Sequence, residues 1–175
     1  MSSLRVMIFM DGSNLFKACE GYRKEYRIDI EKLRDKLVNG RTLMRTYYYC
    51  SISNPPRQEQ IKFQEKLRFL HLEVNSKTLK IRGSTGEMIE KGVDVALATD
   101  MLSLAFRNAY DVAVLVSGDN DFLQAVDEVK RAGKRVEIAC FSSSIGHELR
   151  MKADDFIPID QIADEIELKL PQKSD

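Results

Sequence analysis

The chain has 175 residues, 43% of them hydrophobic and 31% charged, with 27 basic side chains balanced by 27 acidic ones. That composition excludes a disordered chain, and no apolar run approaches the length of a membrane span. One domain with a sizeable core is expected over residues 1–170, with 171–175 a frayed tail.

The opening apolar run, Val6-Met7-Ile8-Phe9-Met10, stops at Asp11. It is too short and wrongly flanked for a signal peptide, so a cytoplasmic location is expected. Cys19, Cys50 and Cys140 are odd in number and widely spaced, which argues against a zinc site. Cys50 and Cys140 each close an apolar stretch and read as small core residues. The charge is unevenly spread. Residues 1–91 hold 18 Lys/Arg and 11 Asp/Glu, or +7, and residues 92–175 hold 9 and 16, or −7. A basic half suited to an anion and an acidic half suited to a cation would produce this, as would two differently solvated surfaces.

Residues 5–10 form the first expected strand, an unbroken apolar run of the kind buried on both faces of a parallel sheet. Asp11-Gly12-Ser13-Asn14 then makes a turn with capping residues, opening a helix near Leu15. Ile30, Leu33 and Leu37 share helical spacing, and Asn39-Gly40 ends that helix. A strand is expected over 43–50. Pro55-Pro56 breaks the chain before a helix whose apolar stripe is Ile61, Phe63, Leu67 and Leu70. Residues 72–74 and 78–81 read as two short strands around a polar turn, and 83–86 as a loop. A helix over 93–106, a strand over 112–116, a helix over 122–132 and a strand over 136–141 follow. A last helix is expected over 160–168. Strands alternating with helices point to an α/β fold with helices on both faces of a mainly parallel sheet, whose ligand site lies beyond the carboxyl ends of the strands.

Three aspartates sit where that rule wants them. Asp11 ends the first strand, and Asp119 and Asp121 follow the strand over 112–116 in Ser117-Gly118-Asp119-Asn120-Asp121. Strand ends are rigid, glycine admits close approach, and short carboxylates can converge on one point. Converging aspartates repel unless a cation or proton intervenes, and an oxygen-only donor set selects Mg²⁺ or Mn²⁺. The same residues also form turns and helix caps, Asp121 especially. Asp94, in the first turn of an otherwise apolar helix, is the fourth candidate ligand. Asp100 lies about 240° further round that helix and reads as a buried, hydrogen-bonded residue. Neither His71 nor His147 has a visible nucleophile partner.

Taken together, Phe9-Met10-Asp11-Gly12-Ser13-Asn14-Leu15, Lys91-Gly92-Val93-Asp94-Val95 with Thr99-Asp100, and Val116-Ser117-Gly118-Asp119-Asn120-Asp121-Phe122 resemble the NYN domain family in its bacterial LabA-like branch. Gly133-Lys134-Arg135-Val136 and Ala153-Asp154-Asp155-Phe156 extend the likeness, which spans roughly residues 5–160. The resemblance implies a PIN-like three-layer α/β/α sandwich and metal-dependent cleavage of RNA. It maps the family's carboxylates onto Asp11, Asp94, Asp119 and Asp121, as catalytic residues and Mg²⁺ or Mn²⁺ ligands, and its asparagine onto Asn14. The branch includes regulators, so an intact site does not by itself establish turnover.

For RNA, Asn14 suits orienting a phosphate or fixing Asp11, and Ser117 reads equally as a phosphate contact or as a turn former. Lys62, Lys66 and Arg68 on one helix, with Lys77, Lys80 and Arg82 on the following hairpin, could track a backbone, and Tyr47 or Tyr49 could offer a stacking face. A non-catalytic RNA-binding regulator and a metal-dependent phosphohydrolase of small esters stay open as alternatives. Homo-oligomer formation is open too, and no membrane partner is expected.

Overall fold

The computed structural model describes residues 3–81, 88–89 and 92–169. Strand β1 (Arg5–Asp11) leads into helix α1 (Gly12–Tyr22) and then α2 (Ile30–Val38). Strand β2 (Thr42–Ile52), helix α3 (Gln58–Phe69) and strand β3 (Glu73–Thr78) follow. The two-residue strands β4 (Lys80–Ile81) and β5 (Met88–Ile89) pair with each other before helix α4 (Val93–Phe106). Strand β6 (Val112–Val116), a 3₁₀ turn (Asn120–Phe122), helix α5 (Leu123–Arg131) and strand β7 (Arg135–Cys140) come next. Helix α6 (His147–Lys152), strand β8 (Asp155–Pro158) and a second 3₁₀ turn (Ile159–Gln161) complete the described chain.

Six of these strands form one parallel sheet in the order β3-β2-β1-β6-β7-β8. The chain starts in the middle at β1, winds outward to β3, returns to β6 beside β1, and winds outward the other way. Right-handed crossovers then force the helices of the two halves onto opposite faces. Strand alternation records this directly. Val6, Ile8, Met10, Val112, Val114 and Val116 pack with Leu15, Leu33 and Leu67 from α1, α2 and α3. Met7, Phe9, Ala113 and Leu115 pack with Leu97, Val126 and Leu149 from α4, α5 and α6. Residues 6–10 of β1 and the whole of β6 are apolar because both faces of these strands are covered. No helix among the described residues is long and apolar enough to cross a membrane.

Several local expectations change. Residues 73–78 form one strand parallel to β2, and the hairpin instead joins 80–81 to 88–89, so Lys77 lies in the sheet rather than on a hairpin with Lys80. β3 is an edge strand of mostly polar residues, so its apolar signal is broken. The expected loop at 83–86, Arg82 and the tail at 171–175 lie outside the described residues. The helix expected over 160–168 is absent. That segment runs through 3₁₀ and other turns, which still bury Ile159, Ala163 and Ile166. Helix α6 and strand β8 fall where no element was expected. The cysteines match the core reading in part. Burial raises the Cys140 thiol to about 12 and the Cys19 thiol to about 11, while Cys50 is only half-buried.

Candidate functional site

The winding direction reverses between β1 and β6, and an open α/β sheet has its ligand crevice at such a switch point. Met10 pairs with Val116, so Asp11 and Ser117 leave the sheet side by side. Asp11 is only 3% exposed. Its Oδ1 accepts from the Asn14 N–H at 3.0 Å, which caps α1 and sets the carboxylate at the helix start. Its Oδ2 accepts from the Ser117 hydroxyl at 3.1 Å. The Ser117 Oγ in turn accepts from the Asp119 N–H at 3.3 Å, and Gly118 N–H donates to Asn14 Oδ1 at 3.2 Å. Four of the expected residues, Asp11, Asn14, Ser117 and Asp119, thus form one hydrogen-bonded network across the switch point.

The network gives one residue a different role. Ser117, read as a phosphate contact or a turn former, is 1% exposed and instead ties the two strand ends together. Asp119 caps the 3₁₀ turn, its Oδ1 accepting from the Asp121 N–H at 3.0 Å, and the Asp121 side chain is exposed. Helix α4 runs back across the sheet to deliver the chain to β6, so its first turn, with Asp94 exposed, returns to the same carboxyl edge. Among the described residues no three His, Cys, Asp or Glu side chains stand close enough together to hold one ion. The donor chemistry at the edge is nonetheless oxygen-only, which fits Mg²⁺ or Mn²⁺ and not a soft metal. Asp100 takes a hydrogen bond from the Tyr49 hydroxyl at 2.8 Å, in keeping with its structural reading. Both histidines are exposed.

The Asp119 loop is also held by two backbone N–H donors from the segment around the start of α6. Gly146 N–H donates to Gly118 O at 2.9 Å, and Leu149 N–H donates to Asn120 Oδ1 at 3.2 Å. A Cβ on Gly118 would run into the backbone carbonyl of Ser144, and one on Gly146 into the Asn120 amide. Backbone cannot step aside as a side-chain tip can. Gly118→Ala is therefore expected to destabilise the fold by about 1–3 kcal/mol, the usual cost of overpacking, and to displace Asp119. A urea melt with an unchanged midpoint would show that the loop tolerates the methyl group.

Beside Asp11 the structure opens a groove of about 680 Å³ between α1 and α3. Phe16, Tyr48 and Phe63 line it, with Gly12 and Ser13 at the end next to Asp11. The absence of a side chain at Gly12 is what admits the Tyr48 ring, since a Cβ there would lie 2.6 Å from it. Burial, with Cys50 and Asp11 close by, holds the Tyr48 phenol far above its ordinary range. Of the two tyrosines expected to offer a stacking face, Tyr47 is part-buried and Tyr49 is buried. Tyr47 stacks on Phe9 with ring centroids 5.4 Å apart, and Tyr49 is fully buried on the α4 face. Strand alternation turns Tyr48 the other way. Ile61 and Phe63, expected in the buried stripe of α3, are 39% and 40% exposed, and Gln64 and Leu67 take the inner face.

The sheet order, the helices on both faces and the strand-end carboxylates define an α/β protein of the PIN-like kind. A model of the NYN domain matches residues 5–160. The chain belongs to the NYN domain family, whose PIN-like nuclease members support a nuclease role. It is 28% identical to the Low amplitude and bright protein LabA of Synechococcus elongatus over 169 residues, covering 93% of this chain and 88% of that protein. It is 27% identical to the uncharacterized protein MJ0482 of Methanocaldococcus jannaschii, covering 89% of this chain but 55% of that longer protein. The crystal structure of VPA0982 from Vibrio parahaemolyticus, a protein of unknown function, superposes with a TM-score of 0.79 at 25% identity, covering 95% of this chain and 97% of that one.

Proposed function

We propose that the protein is a ribonuclease that hydrolyses RNA phosphodiester bonds with Mg²⁺ or Mn²⁺ held at the switch point. The observation that carries this reading is the Asp11–Ser117–Asp119 network at the adjoining ends of β1 and β6. Asp11 and Asp119 would be the central ligands, with Asp94 and Asp121 on the same edge joining directly or through water. A divalent ion bound there neutralises a phosphoryl oxygen and activates water.

The remaining groups position. Ser117 holds Asp11 by donating to Oδ2, and the α1 cap fixes Oδ1. Asn14 accepts from Gly118 N–H with its carbonyl, which leaves its amide N–H groups to meet a phosphate oxygen. Incubating the protein with single-stranded and duplex RNA, in chelator and in Mn²⁺, tests the reading. Intact RNA in every arm would sink it.

Lys62 and Lys66 are exposed on α3, and Lys80 is exposed in β4, as a backbone-tracking role requires. Neutralising all three is expected to weaken RNA binding uniformly across sequences and to lower the slope of log affinity against log salt by about 2–3. An unchanged slope would place the phosphate-contacting surface elsewhere.

A further inference from the structure

We propose that the groove between α1 and α3 is a nucleobase subsite, in which an unstacked base of single-stranded RNA lies among Phe16, Tyr48 and Phe63 while its phosphate reaches Asp11. The inference rests on the ribonuclease reading for the identity of the strand. The occupant follows from three features of the groove.

The first is its aromatic content. Phe16 on α1 is 49% exposed and Phe63 on α3 is 40% exposed, and both line the same groove. Tyr48 forms part of the lining between them and meets Phe63 edge-on at 5.7 Å between centroids. Flat apolar walls of this kind suit a base, because every base presents a π-face whatever its identity.

The second is charge. Lys17 and Arg57 line the groove, with Glu59 the one acidic side chain of the lining among the described residues, and Arg27 lies 5.0 Å over the Phe16 ring. Lys66 shares a helix face with Phe63 by its spacing of three residues, so it borders the same wall. An apolar peptide would find this rim of cations costly, whereas a polyanion with planar apolar groups matches both wall and rim.

The third is position. Gly12 and Ser13 line the groove and directly follow Asp11 in the chain, so a base held there has its own backbone at the strand-end carboxylate. The Ser51 hydroxyl in the same wall is buried and has no hydrogen-bond partner among the described residues. Buried hydroxyls are ordinarily satisfied, and a turn about χ1 would offer this one to the polar edge of a base.

The reading separates base capture from chemistry, and binding can be measured without turnover. Fluorescence anisotropy would follow a labelled polyadenosine RNA, the same strand annealed to its complement, and an abasic strand of equal length. The protein would be the full chain carrying Asp11→Asn, in chelator. The single strand is expected to bind about tenfold tighter than the abasic strand, and tighter than the duplex, whose bases are already stacked. Phe16→Ala and Phe63→Ala should each weaken single-strand binding by about tenfold, and leave abasic binding unchanged, as expected for the loss of one base–aromatic stack. Phe63→Tyr keeps the ring and should restore the parent affinity; circular dichroism checks that each variant is folded. Equal binding of abasic and base-bearing strands, or single-strand affinity untouched by both alanine variants, overturns the subsite. So does absence of RNA binding. Stacking-dependent binding by a parent that never cleaves RNA would keep the subsite and reject the ribonuclease reading. Cleavage by the parent, at rates unaltered in both phenylalanine variants, would do the reverse.

Discussion

In Mn²⁺, Asp11→Asn and Asp119→Asn are each expected to lower RNA cleavage by about 10²–10³-fold or more, the scale on which losing one placed electrostatic contact acts on a charged transition state. Both changes preserve the local fold, which makes the comparison clean. Asparagine caps helices about as well as aspartate, so the bonds from Asn14 N–H and Asp121 N–H can persist. The Ser117 hydroxyl has one donor and two acceptor sites, and in Asp11→Asn it can turn to accept from the new side-chain amide instead of donating. What disappears is one negative charge at each strand end. A variant that cleaves at the parent rate removes its residue from the site, and if both do so the site lies elsewhere.

The second large effect needs no substrate. An ion that binds only the folded chain stabilises it by mass action, by about 2.7 kcal/mol at a hundredfold excess over its dissociation constant. Thermal melts of the parent in Mn²⁺ and in chelator should differ accordingly, and Asp119→Asn should lose most of the difference. In chelator the two proteins are expected to melt together, because the cap survives the substitution. Equal Mn²⁺ shifts in parent and variant would mean that Asp119 serves only its turn.

Which features were legible in the sequence follows from what each feature depends on. β1 and β6 could be read because both faces of each are covered, and a run without polar interruption over 6–10 and 112–116 is the direct trace of that burial. β7 carries the same signal broken once, by Glu137, which is buried in an ion pair with Arg41. Asp11, Asn14 and Asp119 could be read because each closely follows such a run. β3 could not, since an edge strand with Asn75, Ser76 and Lys77 carries no such trace. The last segment misled in the opposite sense. Ile162, Ala163 and Ile166 have helical spacing, yet the core receives them from turns. The groove was invisible for a different reason. It depends on side chains of α1 and α3 that face each other across space, and on which of three successive tyrosines strand alternation turns toward them.

The order of strands also gives the charge count a direction. The +7 half supplies β1, β2, β3 and the helices α1 to α3, while the −7 half supplies β6, β7, β8 and α4 to α6. A chain that winds outward in two opposite senses therefore becomes an electric dipole lying across its sheet, with the Asp11–Ser117 bond on the seam. On the ribonuclease reading, an RNA arriving by diffusion would feel a torque before it made a contact, and would be turned so that its bulk lay over the α1 and α3 side. The acidic flank would repel the part that overshot. One strand-order decision, taken when the chain returns to pair with β1, thus sets the polarity of every encounter, and added salt should slow association by blurring that polarity.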